Sequence, residues 1–132
     1  MQKHFQGLGH VAVYTQDIEK SIDFYAKLGG EVKDRGGVSA LAGEKKLALV
    51  LFGGITLELI QSPTDMPMGE GNIPHFALLV DDLDAAAEMV RAAGVDTFLT
   101  SEKKVLPDLF GGLRNWFFTG PSGEQIELLQ ML

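Results

Sequence analysis

The chain has 132 residues and a mass of 14.3 kDa, room for one domain of two small halves and too little for a multidomain enzyme. Apolar residues make up 45% and charged residues 22%, a globular composition, and a net charge of −7 argues against nucleic-acid backbones and anionic membranes as partners. Cysteine is absent, which excludes a disulfide framework, thiolate metal sites and a cysteine nucleophile.

The first residues lack a basic region followed by an apolar one, and the longest apolar candidate, Leu47 to Phe52, is only strand-sized. The expected location is therefore the cytoplasm. The first predicted strand runs from Gly9 to Thr15. A helix follows from about Ile18 to Leu28, with Asp17 as its cap, an apolar stripe of Ile18, Ile22, Tyr25 and Leu28 flanked by Phe24, and Gly29 as its end. Strands are then predicted near Glu31–Arg35, Leu47–Phe52 and Ile55–Ile60, the last two joined by a Gly53-Gly54 hairpin. After the Pro/Gly-rich stretch SPTDMPMGEGNIP the pattern starts again. A strand at Pro74 to Val80 leads into a helix carrying Leu83, Ala86, Met89 and Val90, capped by Asp82 and ended by Gly94. Three more strands are predicted near Asp96–Thr100, Asn115–Thr119 and Glu124–Gln130, with Pro121-Ser122-Gly123 as the last turn. Between them, Glu102–Leu113 reads as a long loop, a candidate flap over a site.

This is an internal repeat, βαβββ twice, with module one at 8–62, a linker at 63–72 and module two at 73–131. At an offset of 65, His10 falls on His75, Ala12 on Ala77, Asp17 on Asp82 and Gly29 on Gly94. At the module ends, GGITLELI matches SGEQIELL with Glu58 on Glu127 at an offset of 69, so the second copy carries four extra residues.

Alternation assigns the faces. Leu57 and Leu59 share one side of their strand and Glu58 takes the other; Ile126 and Leu128 stand likewise against Glu127. Val11 and Val13, and Phe76, Leu78 and Val80, should pack beneath the helices, which puts His10 and His75 on the glutamate side. A mid-strand carboxylate between leucines is costly to bury unpaired. A divalent cation held by His10, Glu58, His75 and Glu127 would supply the partner. Such a sulfur-free N2O2 set suits Ni, Zn or Co, with Fe or Mn as further options. His4 lies outside the pattern and reads as a surface residue. Arg114 could meet a substrate anion or a surface carboxylate, and Trp116 and Phe118 read as packing residues.

The stretch GHVAVYTQDIEKSIDFYAKLGG, with Asp17, Ser21, Phe24 and Tyr25, resembles the opening motif of the vicinal oxygen chelate superfamily. PHFALLVDDLDAA is similar to its second-module opening and FTGPSGEQIELLQ to its closing motif, with Gly120 where aspartate is usual. The resemblance covers nearly the whole chain as one domain, 1–132. It implies an α+β fold in which two βαβββ modules form a curled eight-stranded mixed sheet around a metal cleft, helices outside.

The order His-Glu-His-Glu is most similar to bacterial glyoxalase I. That resemblance implies a metal-dependent lyase converting a 2-oxoaldehyde–thiol hemithioacetal to a 2-hydroxyacyl thioester through an enediolate, with Glu127 first as the base and Glu58 facing it. Other chemistries of the superfamily are epimerisation, dioxygenation and the non-enzymatic trapping of bleomycin-type drugs. Glyoxalase I grips the glutathione carboxylate with an arginine four residues after the first histidine, where this chain has Tyr14. The usual asparagine four residues after the first glutamate is Ser62, and a basic residue of the late loop corresponds to Lys103 or Lys104. The substrate implied is a small molecule with vicinal oxygens, less anionic than a glutathione adduct. Small glyoxalases imply a homodimer with shared sites, His10 and Glu58 joining the partner subunit's His75 and Glu127.

Overall fold

The computed structural model describes residues 4, 9–40, 43–64, 73 and 75–132. The chain divides into two compact units, Met1–Met66 and Pro67–Leu132. The expected boundary at residue 8, the linker from 65 to 72 and the strand start at Pro74 lie outside the described residues. The fold is α+β: each unit has the order βαβββ, and the expected eight strands form two four-stranded mixed sheets.

The first unit contains β1 (Val11–Tyr14), α1 (Ile18–Lys27), β2 (Glu31–Ala40), β3 (Gly43–Phe52) and β4 (Ile55–Gln61). The sheet order is β1-β4-β3-β2, with β1 parallel to β4 and the other pairs antiparallel. Asp17 accepts the Lys20 N–H at 3.2 Å and starts α1; Gly29, at φ 100°, ends it in the left-handed region that glycine tolerates. Ile18, Ile22, Phe24 and Tyr25 are buried, as are Val13, Ala48, Val50, Leu57 and Leu59 on the strands. One polar pair sits among them: the Thr15 and Ser21 hydroxyls are 2.7 Å apart and fully buried. Ser21→Ala should cost ~1–2 kcal/mol, read as a lower urea midpoint. An unchanged midpoint would show that the pair contributes nothing.

The second unit contains β5 (Phe76–Leu79), α2 (Leu83–Ala92), β6 (Lys104–Leu106), β7 (Leu113–Thr119) and β8 (Gln125–Met131), ordered β5-β8-β7-β6 with β5 parallel to β8. Asp82 caps α2 by accepting the Ala85 N–H at 3.1 Å, and Gly94 follows its end at φ 92°. The sequence does not advertise a second tie, which both units share. Gln61 accepts the Ile18 N–H at 2.8 Å and Gln130 the Leu83 N–H at 2.9 Å, so the last strand of each unit holds the first turn of its helix.

Two expectations are corrected in this unit. Met89 is 51% exposed, and Ala87 takes the core position with Leu83 and Val90. Steps of four and three from Leu83 reach Ala87 and Val90 on one stripe, while Met89 lies about 100° away from Val90 around the helix. The expected strand at Asp96–Thr100 is a single bridge, Phe98 to Phe118, and the ladder along β7 is completed by β6, inside the segment read as a loop. Pairing resumes with three extra residues on the edge strand. Much of the insertion in the second module is therefore absorbed as an excursion of this edge, which has no partner on its outer side to enforce continuity.

Candidate metal centre

In each unit a histidine precedes the first strand and a glutamate sits at the middle of the last. Because β1 runs parallel to β4 with Ala12 beside Glu58, His10 reaches the carboxylate diagonally on the face turned away from the helix. Its Nε2 stands 3.4 Å from Glu58 Oε1. The second unit repeats this: Ala77 lies beside Glu127, and His75 Nε2 stands 3.3 Å from Glu127 Oε1. The flanking Leu57, Leu59, Ile126 and Leu128 are buried on the opposite face, as alternation requires.

These separations exceed the ~2.9–3.0 Å of a good N–H···O hydrogen bond. They match two donors on one cation, because atoms each ~2.1 Å from a metal and ~90–110° apart are ~3.0–3.4 Å from each other. The donor types also fit, one imidazole nitrogen and one carboxylate oxygen per unit. Each pair thus offers two donors of a kind and spacing that would suit a divalent cation. Among the described residues no group of three or more histidines, aspartates and glutamates comes together within ligating reach.

The surroundings of the two pairs differ. Across the sheet from Glu127 stands Phe117, whose ring meets His75 edge-on at 4.9 Å. Two residues along, the Asn115 amide Nδ2 donates to Glu127 Oε2 at 2.9 Å. Across from Glu58 the register brings Leu49 and then, two residues along, Leu47. The same cross-strand row continues to Asp34 on β2. His10, Glu58, Leu47, Leu49 and Asp34 line a cleft of about 230 Å³ within the first unit. Arg35 also borders it, but its guanidinium is bound to Glu19 on α1 at 2.5 and 3.2 Å. That hydrogen bond holds the Glu19 carboxyl below its ordinary range and keeps the arginine on the helix side.

The other expected contacts divide by strand parity. Tyr14 shares the His10 face of β1 and is 43% exposed. Ser62 follows β4 in phase with Glu58, and its Oγ lies 3.2 Å from Thr64 Oγ1. Lys104 is paired with Asn115, which sets it on the Glu127 face of the second sheet. Lys103 is not there: its ammonium is bound to Asp84 at the start of α2, at 2.5 and 2.7 Å. Nor is Arg114, which pairs with Gln130 on the helix side of β7. Trp116 lies on that side too, its ring tilted against Phe98 at 4.4 Å under the Arg91 guanidinium, its indole N–H donating to the Thr100 carbonyl. His4 is exposed. The aspartate missing at Gly120 is also accounted for. Glu124 accepts the Ser122 N–H at 3.0 Å and caps the last turn from its far side, and a Cβ at Gly120 would strike that carboxylate.

Asn115, Phe117 and Asp34 were not anticipated as site residues. Counting back from the last turn would have found the first two, since Thr119 opposite Gln125 fixes Phe117 opposite Glu127.

Two βαβββ units, each with a histidine and a glutamate side by side on the sheet face turned away from its helix, define a class of small proteins built from this repeated module. A family model of the glyoxalase/bleomycin resistance protein/dioxygenase superfamily matches residues 7–128, and the chain belongs to that superfamily. It is 37% identical to the uncharacterized protein YwbC of Bacillus subtilis (strain 168) over 128 residues, 93% of this chain and 96% of that protein. Among solved structures it resembles a glyoxylase/bleomycin resistance protein/dioxygenase domain from Frankia sp. EAN1pec, at a TM-score of 0.77 and 19% identity over 97% of this chain and 93% of that one. A second is a glyoxalase family protein from Enterococcus faecalis, with a TM-score of 0.72 and 24% identity over 95% and 98%. A third is a mutant of the fosfomycin resistance protein FosX from Listeria monocytogenes complexed with Mn(II) and a dihydroxypropylphosphonic acid, with a TM-score of 0.69 and 20% identity over 94% and 91%.

Proposed function

We propose that the protein is a metal-dependent lyase of glyoxalase type, in which His10, Glu58, His75 and Glu127 hold one divalent cation, Ni, Zn or Co before Fe or Mn. The observation that supports this reading most is the 3.3–3.4 Å histidine–glutamate spacing, repeated in both units. The working form is a cytoplasmic homodimer in which His10 and Glu58 join the partner subunit's His75 and Glu127. A cation held there supplies Lewis acidity for two adjacent substrate oxygens.

The chain's own groups do the rest. A carboxylate of the pair Glu58/Glu127 takes the C–H proton of a 2-oxoaldehyde–thiol hemithioacetal and returns it to the neighbouring carbon. The hydroxyl proton passes between the two oxygens, so the product is a 2-hydroxyacyl thioester and no external oxidant is used. Leu47 and Leu49 floor the cleft with apolar surface, while Tyr14, Ser62 and Lys104 border the substrate.

The reading is tested by determining the metal content of the purified protein and following methylglyoxal with a set of thiols. Stoichiometric metal with turnover is the expected result, and stoichiometric metal without turnover of any adduct rejects the named reaction. The set also tests the substrate class. With Tyr14 in place of an arginine, and with Arg35 committed to Glu19, the bidentate grip on a carboxylate is missing, worth ~1.5–3 kcal/mol. The glutathione adduct should therefore lack the advantage of about tenfold or more in kcat/KM over the 2-mercaptoethanol adduct that such a grip would give. A preference for glutathione would contradict the assignment of Tyr14.

A further inference from the structure

We infer that Glu58 is the carboxylate that moves the proton and that Asn115 is a positioning residue holding Glu127 as a permanent ligand, an assignment that rests on the lyase reading above. The family resemblance puts Glu127 first as the base; the surroundings of the two carboxylates argue the reverse. A carboxylate that alternates between a cation and a substrate carbon must be able to rotate, and it must face the space the substrate enters.

Of the two, Glu127 is the less free to rotate. Its Oε2 accepts the Asn115 amide at 2.9 Å while Oε1 faces His75 at 3.3 Å, so both oxygens are committed in one orientation. The Phe117 ring edge against His75 clamps the other member of the pair, and the Glu127 side chain is 13% exposed. A hydrogen-bonded neighbour of this sort orients a metal ligand and sustains affinity. In the first unit the equivalent cross-strand positions are Leu47 and Leu49, which have no donor to offer. Among the described residues Glu58 meets His10 alone, through Oε1; it is 22% exposed and opens directly on the 230 Å³ cleft. The sequence repeat is symmetric in its ligands and asymmetric in what stands opposite them, and that asymmetry separates a fixed ligand from a mobile base.

The test combines calorimetric Zn²⁺ or Ni²⁺ titration with steady-state kinetics at saturating metal, on the full chain and on Glu58→Gln, Glu127→Gln, Asn115→Leu and Asn115→Ser. Glu58→Gln is expected to keep metal affinity within about tenfold while kcat falls ~10²–10⁴-fold. Glu127→Gln should lose affinity by a hundredfold or more. Both Asn115 variants should lose ~10–100-fold in affinity, with kcat at saturating metal within about threefold of the parent. Asn115→Gln, which keeps a donor, should recover part of the loss, a response that a merely structural role would not produce. The reverse ranking of the two glutamates, or wild-type metal affinity in both Asn115 variants, overturns the inference. Should the parent bind metal but turn over no hemithioacetal, the lyase reading fails, and the affinity ranking still decides which carboxylate is anchored. A parent that binds no divalent metal overturns both.

Discussion

Alanine at His10 or at His75 is expected to reduce divalent-metal affinity by a hundredfold or more and to remove turnover at ordinary metal concentrations. Structural zinc in zinc-finger peptides is bound with ~10–16 kcal/mol, so a firmly held ligand in a four-ligand site carries on the order of a quarter of that, ~3 kcal/mol. The loss should be equal for the two histidines, because each faces its glutamate at nearly the same distance, 3.4 and 3.3 Å. His4→Ala, at an exposed position outside both pairs, serves as the control and should change nothing. Metal titration by calorimetry reads the effect, and either variant binding metal as the parent does would remove that histidine from the site. The same two variants report on the proposed shared site. Mixed His10→Ala and His75→Ala chains should regain turnover, since each heterodimer then has one site with both histidines intact. Failure to regain it would mean that each chain closes its own site.

The second large effect is expected on the other face of the sheet. Phe118 is fully buried on β7, stands opposite Ile126 on β8 and packs against Phe98 at 5.5 Å. Phe118→Ala removes a ring that the surroundings cannot refill and should cost ~3–5 kcal/mol in chemical denaturation. Glu58→Leu, at the centre of β4 but on the opposite face, should stay within about 0.5 kcal/mol of the parent without metal, because leucine loses no buried hydrogen bond there and suits the neighbouring Leu47 and Leu49. With metal added, that variant should show a smaller increase in stability than the parent, because one oxygen donor is gone. A strong destabilisation of metal-free Glu58→Leu would mean that the carboxylate has a structural role, contrary to the mid-strand argument.

The two modules, their helix caps at Asp17 and Asp82, and their helix ends at Gly29 and Gly94 were all readable in the residues, because these features depend on contacts within a few positions of the chain. The faces of β4 and β8 were readable too, since alternation along a strand is a local rule and the buried leucines flank each glutamate. The pairing of histidine with glutamate came through the repeat, which showed the same two residue types at the same two places in each copy.

Other features were hidden for one common reason: they depend on which residue of a neighbouring strand stands alongside. Asn115 reaches Glu127 only because of the β7–β8 register, and Lys104 faces the site while Lys103 turns to Asp84 because β6 pairs where it does. Arg114 falls on the helix side by the same count. The edge strand of the second unit forms at Lys104–Leu106 instead of Asp96–Thr100, since an edge with one partner can leave the ladder and rejoin it wherever the partner offers unpaired backbone groups. Local chemistry thus specified the modules and the histidine and glutamate of each candidate pair. The difference between the two carboxylates arose only when the strands were laid side by side, because alternation within one strand fixes a face, whereas the neighbour on the next strand follows from the turn and its register.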